Sequence, residues 1–185
     1  MIDWSWDYSM TANEVAMLLS LSMADDGMLG YEQGAASDHV RAAAAGIVDS
    51  AQHRDCHILA GIGESGVVGM CVVEPEKNPT SAHIAYVKKA FITPKCRGRH
   101  SVWAMADAVG HKVLELGCDR LVIDVRGGQH ATRVWTAMGF STFGVLDDYS
   151  RYNGHSWSGQ FMTVRAVDLL DRVSEHDRRG GGGAS

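Results

Sequence analysis

The chain reads as an α/β domain built on a mixed sheet, and three observations predict it. Helical patterns come early, a strand-rich middle follows, and after Ile92 two helices alternate with apolar strands. A composition that is 45% apolar over 185 residues suits one domain with a sizeable core. The formal charge of −5 argues against a general affinity for nucleic acid or an anionic membrane. No apolar run approaches the roughly 20 residues that a transmembrane helix needs. Met1-Ile2-Asp3-Trp4 carries acid where a signal peptide would carry base, so a cytoplasmic location is expected.

Ile2, Trp4, Trp6 and Tyr8 alternate with polar residues, the pattern of a half-buried strand. Thr11 and Glu14 form a capping box, which predicts a helix over Ala12 to Met23. A Gly-rich loop leads to Ser37, which can cap a second helix running to about Val48. Strands follow at His57–Ile62 and Val67–Glu74, then a long one over Ala82–Ile92. Val102, Met105, Val109, Val113 and Leu116 keep helical spacing up to Gly117. Leu121–Val125 reads as a central strand, and Ala131, Val134, Trp135 and Met138 as a short helix. Ser141–Leu146 and Trp157–Val164 are the last strands, with a tight turn at Asn153-Gly154. Residues 1–177 are expected to form the domain, and 178–185 a disordered Gly-rich tail.

Cys56, Cys71, Cys96 and Cys118 show no close pairing, so a disulfide framework is not expected. His53-Arg54-Asp55-Cys56-His57 has ligand-type residues but no second half, and no metal is expected.

The turn Arg97-Gly98-Arg99 opens the helix after the long strand. N–H groups at a helix start lack intrahelical partners, the dipole there favours anions, and the arginines add charge. That combination suits a pyrophosphate; the alternative is an ordinary helix cap with two solvated arginines.

These residues resemble the GNAT superfamily of N-acetyltransferases, most densely from Ala90 to Phe140. Ala90-Phe91-Ile92-Thr93-Pro94 is similar to its strand ending in Val-x-Pro, and Arg97-Gly98-Arg99 to the start of its Gln/Arg-x-x-Gly-x-Gly/Ala turn. Ile123-Asp124-Val125 resembles the next strand, and Ala131 to Gly139-Phe140 the Ala-x-x-x-Tyr-x-x-x-Gly-Phe helix. The departures are His100 and Val102 at usual Gly/Ala positions, Gly128 (or Gln129) at the frequent Asn, and Trp135 at the frequent Tyr.

The resemblance implies a mostly antiparallel central sheet flanked by helices and splayed at the cofactor site. It implies acetyl-CoA as co-substrate, bound by Ala90, Phe91 and Ile92, by Arg97, Gly98, Arg99, His100, Ser101, Val102 and Trp103, and by Gln129 and Trp135. A backbone N–H at the strand end would serve the thioester oxygen. The attacking amine must be deprotonated, and Asp124, an acid interrupting an apolar strand, is the leading base. Its structural alternative is pairing with Arg126 or with the loop at Gly127-Gly128. An indole cannot supply the acid expected at Trp135. Tyr149 and Tyr152 are the replacements by sequence, unless the thiolate leaves without a protein acid.

Acidic and aromatic residues near the expected acceptor region, with Tyr31, Glu32, Glu74 and His83 among the candidates, suit a cationic, partly apolar small-molecule amine. A protein or peptide amine is the alternative, as is a non-catalytic acyl-CoA-binding regulatory module. Many members of the superfamily pair as homodimers, so the resemblance admits a dimer here.

Overall fold

The computed structural model describes residues 2–25, 29–31, 37–126, 130–152 and 154–181. Among them are strands β1 (Asp3–Ser5), β2 (His57–Gly63), β3 (Gly66–Pro75), β4 (Ile84–Ile92), β5 (Arg120–Arg126), β6 (Ser141–Tyr152) and β7 (His155–Arg165). The helices are α1 (Ala12–Met23), α2 (Ser37–Gln52), α3 (Arg99–Glu115), α4 (His130–Ala137) and α5 (Ala166–Gly181). The strands form one mostly antiparallel sheet in the order β1-β2-β3-β4-β5-β7-β6, with β4 and β5 parallel. The chain divides into two compact units, Met1–Glu74 with Val87–Ser101, and Pro75–Tyr86 with Val102–Ser185.

In the first unit the capping box forms as predicted. Thr11 Oγ1 accepts from the Glu14 N–H, and the Glu14 carboxylate accepts from the Thr11 N–H at 2.8 Å. The helix it starts buries Val15, Leu18 and Leu19, with Ser22 satisfied by the Leu19 carbonyl at 2.6 Å. α2 runs a turn past Val48 and buries Val40 and Ala44. These side chains share a core with Ile58, Ala60, Met70, Val72 and Phe91. β1 is shorter than its alternation predicts. The Trp4 ring lies so close to β2 that a Cβ on Gly61 would fall 2.8 Å from it. Cys56 is buried with Sγ facing the Ile47 carbonyl at 3.8 Å, a packing role. Burial pushes the Cys71 thiol up to about 12.

In the second unit β5 pairs with β7 from Arg120↔Arg165 to Arg126↔Gly159, and β7 pairs with β6. The closing hairpin is longer than expected: its ladder continues to Tyr152↔His155 across a register shift that the polar run Asp147-Asp148 disguised as loop. Asn153 lies outside the described residues, and Gly154 has φ +74. α3 ends at Glu115 and is capped past it at Gly117, where the Cys118 N–H returns to the Val113 carbonyl at 3.0 Å. α4 ends the same way: the Phe140 N–H bonds the Trp135 carbonyl at 3.1 Å, and the two rings meet edge-on at 5.2 Å. That apolar contact goes with this type of cap.

α5 was not anticipated. Ala166, Leu169 and Val173 are buried at helical spacing, but dense charge around them obscured the stripe. The helix also continues through Arg178 and Arg179 to Gly181, past the expected start of the tail. Among the described residues no helix is long and apolar enough to cross a membrane.

Replacing Thr11 by Ala removes one half of the capping box. The expected cost is about 1 kcal/mol, a fall in thermal midpoint of about 2–4 °C, measurable by circular dichroism.

Candidate active site

Within the first unit, the segment after β4 is pinned by side chains. The Thr93 N–H bonds the Val68 carbonyl at 2.8 Å, and Pro94–Cys96 make a single 3₁₀ turn. Arg97 Nε donates to the Ile92 carbonyl at 2.9 Å, its guanidinium pairs with Asp25, and it lies 5.5 Å over the Phe91 ring. Trp4 Nε1 donates to the Ser101 carbonyl at 3.1 Å, and Ser101 Oγ to the Cys96 carbonyl at 3.2 Å. Arg97 therefore shapes the turn as well as charging it. His100 is exposed.

Gly98 is exposed, and a Cβ built on it meets nothing within 4 Å. Immediately after it starts a helix of 17 residues, whose first four N–H groups have no intrahelical partner. Open space at a helix N-terminus suits a diphosphate, so Gly98 to Ser101 fit the group expected there. Val102 and Trp103 continue α3 in the second unit, where Trp103 stacks on His176 at 4.3 Å.

Ala90 is half-buried, and Phe91 and Ile92 are buried. Lys89, just before them, has φ +53, a left-handed conformation unusual for a side chain of its size. Its Nζ donates to the Leu29 carbonyl at 2.8 Å and lies 5.2 Å from the centre of the Tyr31 ring. No Gly or Pro announces this twist in the sequence. Burial raises the pKa of the Tyr31 phenol. Glu74 is ion-paired with Lys88 at 2.8 Å. Glu32 and Gln129 lie outside the described residues.

In the second unit, Asp124 and Tyr149 meet: the Tyr149 hydroxyl donates to Asp124 Oδ2. Asp124 is not buried in a covered strand as its apolar neighbours suggested. Leu121 and Ile123 are buried, whereas Asp124 is exposed near the end of β5. The Tyr149 ring packs edge-on against Phe161 at 5.7 Å. Desolvation, then the hydrogen bond to Asp124 and its charge, push the phenol up to about 12, against a smaller opposing effect of Arg126. Arg126 itself lies 5.8 Å over the Trp157 ring. Tyr152 sits opposite His155 at the end of the hairpin. His83 is exposed, and its carbonyl accepts from the Asp119 and Arg120 N–H groups. The Trp135 ring is committed to the cap of α4. Gly159 was overlooked in the sequence, although a glycine inside a strand signals close approach: Tyr149 lies directly on it.

No family model matches the chain. No curated protein matches it either. Solved structures do. An N-acetyltransferase from Staphylococcus aureus Mu50 has TM-score 0.74 at 11% identity, covering 90% of this chain and 99% of that one. A ribosomal-protein-alanine N-acetyltransferase from Brucella melitensis has TM-score 0.68 at 15% identity, covering 89% and 99%. A GNAT superfamily phosphinothricin acetyltransferase from Sinorhizobium meliloti, in complex with acetyl-CoA, has TM-score 0.67 at 15% identity, covering 89% and 88%. The chain has the GNAT fold, as the resemblance implied.

A phenol raised in the folded state from 10.0 to about 12 stabilises the fold below pH 10 and ceases to do so as pH rises through 12. Tyr149→Phe should therefore be less stable than the wild type at pH 9, with the gap closing towards pH 12. Urea midpoints at both ends check this.

Proposed function

We propose that the chain is an acetyl-CoA-dependent N-acetyltransferase acting on a primary amine of a small cationic molecule. The observation that carries this reading is the pinned turn with Gly98 open at the head of α3, on a fold that the compared acetyltransferases share. Acetyl-CoA supplies the activated acyl group when bound. Backbone N–H groups from Gly98 to Ser101, with Arg97 and Arg99, hold its pyrophosphate. The end of β4, Ala90 to Ile92, holds its extended arm and offers an N–H to the thioester oxygen.

Asp124 takes the amine's proton. Tyr149 donates to one carboxylate oxygen and leaves the other to accept from nitrogen. Tyr149 does not serve as the acid for sulfur: a phenol at about 12 is far weaker than a thiol near 8.5. The carbon–nitrogen bond forms, the carbon–sulfur bond breaks, and sulfur departs as thiolate. Acid and aromatic surface favours a cationic acceptor. A protein N-terminus is the second reading, because the Brucella enzyme is named for a protein alanine and the Sinorhizobium enzyme for a small molecule.

Acetyl-CoA at about 100 times its dissociation constant adds roughly 2.7 kcal/mol, which should raise the thermal midpoint by about 5–10 °C. Gly98→Val should fold with an unchanged midpoint yet lose most of that shift. An unshifted wild type removes the cofactor assignment.

Asp124→Asn should lower kcat at least about tenfold at pH 7 while leaving the KM for acetyl-CoA in place. The deficit should shrink at high pH, where the amine deprotonates without help. Free thiol release across an amine panel, read with a thiol reagent, checks this and separates an enzyme from a silent binding module.

A further inference from the structure

The hairpin that presents Tyr149 has an irregularity at the point where it is needed. Leu146 pairs with Gly159 and Ser150 with Trp157, so Asp147, Asp148 and Tyr149 together face Ser158 alone. Such a bulge bends its strand and re-aims a side chain. Within it Asp148 has φ +54, which costs conformational energy for any residue with a Cβ. Its carboxylate is held on two sides. Arg151 Nε donates to Oδ1 and Oδ2 at 2.9 and 3.1 Å, its terminal nitrogen donates to Oδ2, and Ser156 Oγ donates to Oδ1. Arg151 and Ser156 are opposite one another in the ladder, so the clamp fastens the bulge to a regular rung. The Arg151 side chain is 79% exposed. Exposed ion pairs add little to global stability, which leaves a local conformational role as the clamp's main effect.

The second element is Gly159. A Cβ there would lie 2.3 Å from Tyr149 Cγ and 2.7 Å from its Cδ1, a spacing that real atoms do not adopt. The ring occupies the space that any other residue would fill. Gly159 is also the ladder partner of Arg126, two residues along β5 from Asp124. A ring seated over Gly159 and edge-on to Phe161 sends its hydroxyl to the Asp124 carboxylate.

We infer that Gly159 and the Asp148–Arg151–Ser156 clamp are positioning residues that aim the Tyr149 hydroxyl at Asp124. The consequence for turnover rests on the acetyltransferase reading; the aim itself does not. Neither element touches the reacting atoms.

The test follows the five tyrosines by carbon-13 NMR of Cζ-labelled protein, with Tyr149→Phe assigning the signal. Asp124 and Arg126 on β5 are the charged groups that act on this phenol, and Asp147, Asp148 and Arg151 are the charged residues near it along its own strand. In the wild type Tyr149 should remain un-ionised at pH 11. In Gly159→Ala its titration should fall by at least about one pH unit, tenfold in ionisation constant. Asp148→Ala should do the same to a smaller extent, and Asp148→Asn should restore the wild-type curve, because Asn accepts the left-handed conformation and keeps an acceptor oxygen.

With an acceptor in hand, Gly159→Ala should lower kcat about tenfold with the KM for acetyl-CoA kept, and add nothing in a Tyr149→Phe background. Independent, multiplying losses would reveal a merely structural role and overturn the inference. An unmoved Tyr149 titration in folded Asp148→Ala overturns it as well, even where Gly159→Ala does not fold. A wild type that acetylates no amine removes the proposed function, while the NMR comparison still decides the aim.

Discussion

The first unit is organised around the bonds that fix the turn between β4 and α3. The segment from Ile92 to Ser101 is fixed both from within and from outside. Trp4 holds the Ser101 carbonyl, Arg97 holds the Ile92 carbonyl and Asp25, and Val68 takes the Thr93 N–H. Each bond uses a carbonyl, or an N–H that lies before the helix. None draws on the donors at the head of α3. The contribution of any one such bond is about 1 kcal/mol, but together they leave one backbone path for the turn.

Arg97, proposed above to help hold the pyrophosphate, has a structural part as well. Its charge is shared with Asp25 and its stem lies over Phe91. An anion arriving at Gly98 would therefore compete with an existing ion pair for part of that charge. In the proposed site the N–H groups and helix dipole would carry more of the binding than a count of arginines suggests.

The elements that depend on local patterns were legible in the sequence. The capping box placed α1 to the residue, and Gly117 and Gly139 stopped their helices as expected. What was hidden depends on contacts distant in sequence. Asp124 looked buried because its neighbours are apolar, yet β5 emerges at that position and Tyr149 supplies the partner from 25 residues away. The twist at Lys89 and the bulge at Asp148 use residues whose side chains compensate a conformation usually given to glycine. α5 failed to stand out because three buried positions were outnumbered by acids and arginines. Tyr149 and Asp124 are both candidates in the sequence, but their meeting depends on the register of the closing hairpin.

In the proposed reaction Tyr149 is a poor source of a proton for sulfur. A group meant to give its proton to sulfur works best with a pKa near the working pH. Desolvation and the neighbouring carboxylate move this phenol the other way. The same hydrogen bond that makes Tyr149 a poor acid removes rotational freedom from Asp124, because an exposed carboxylate at a strand end would otherwise sample several rotamers. Under the proposed function, the dyad would receive a proton at a fixed place. Since thiolate is a tolerable leaving group near neutral pH, the site needs no second proton source for the reaction proposed, and an indole at Trp135 is free to serve the helix cap that the packing shows.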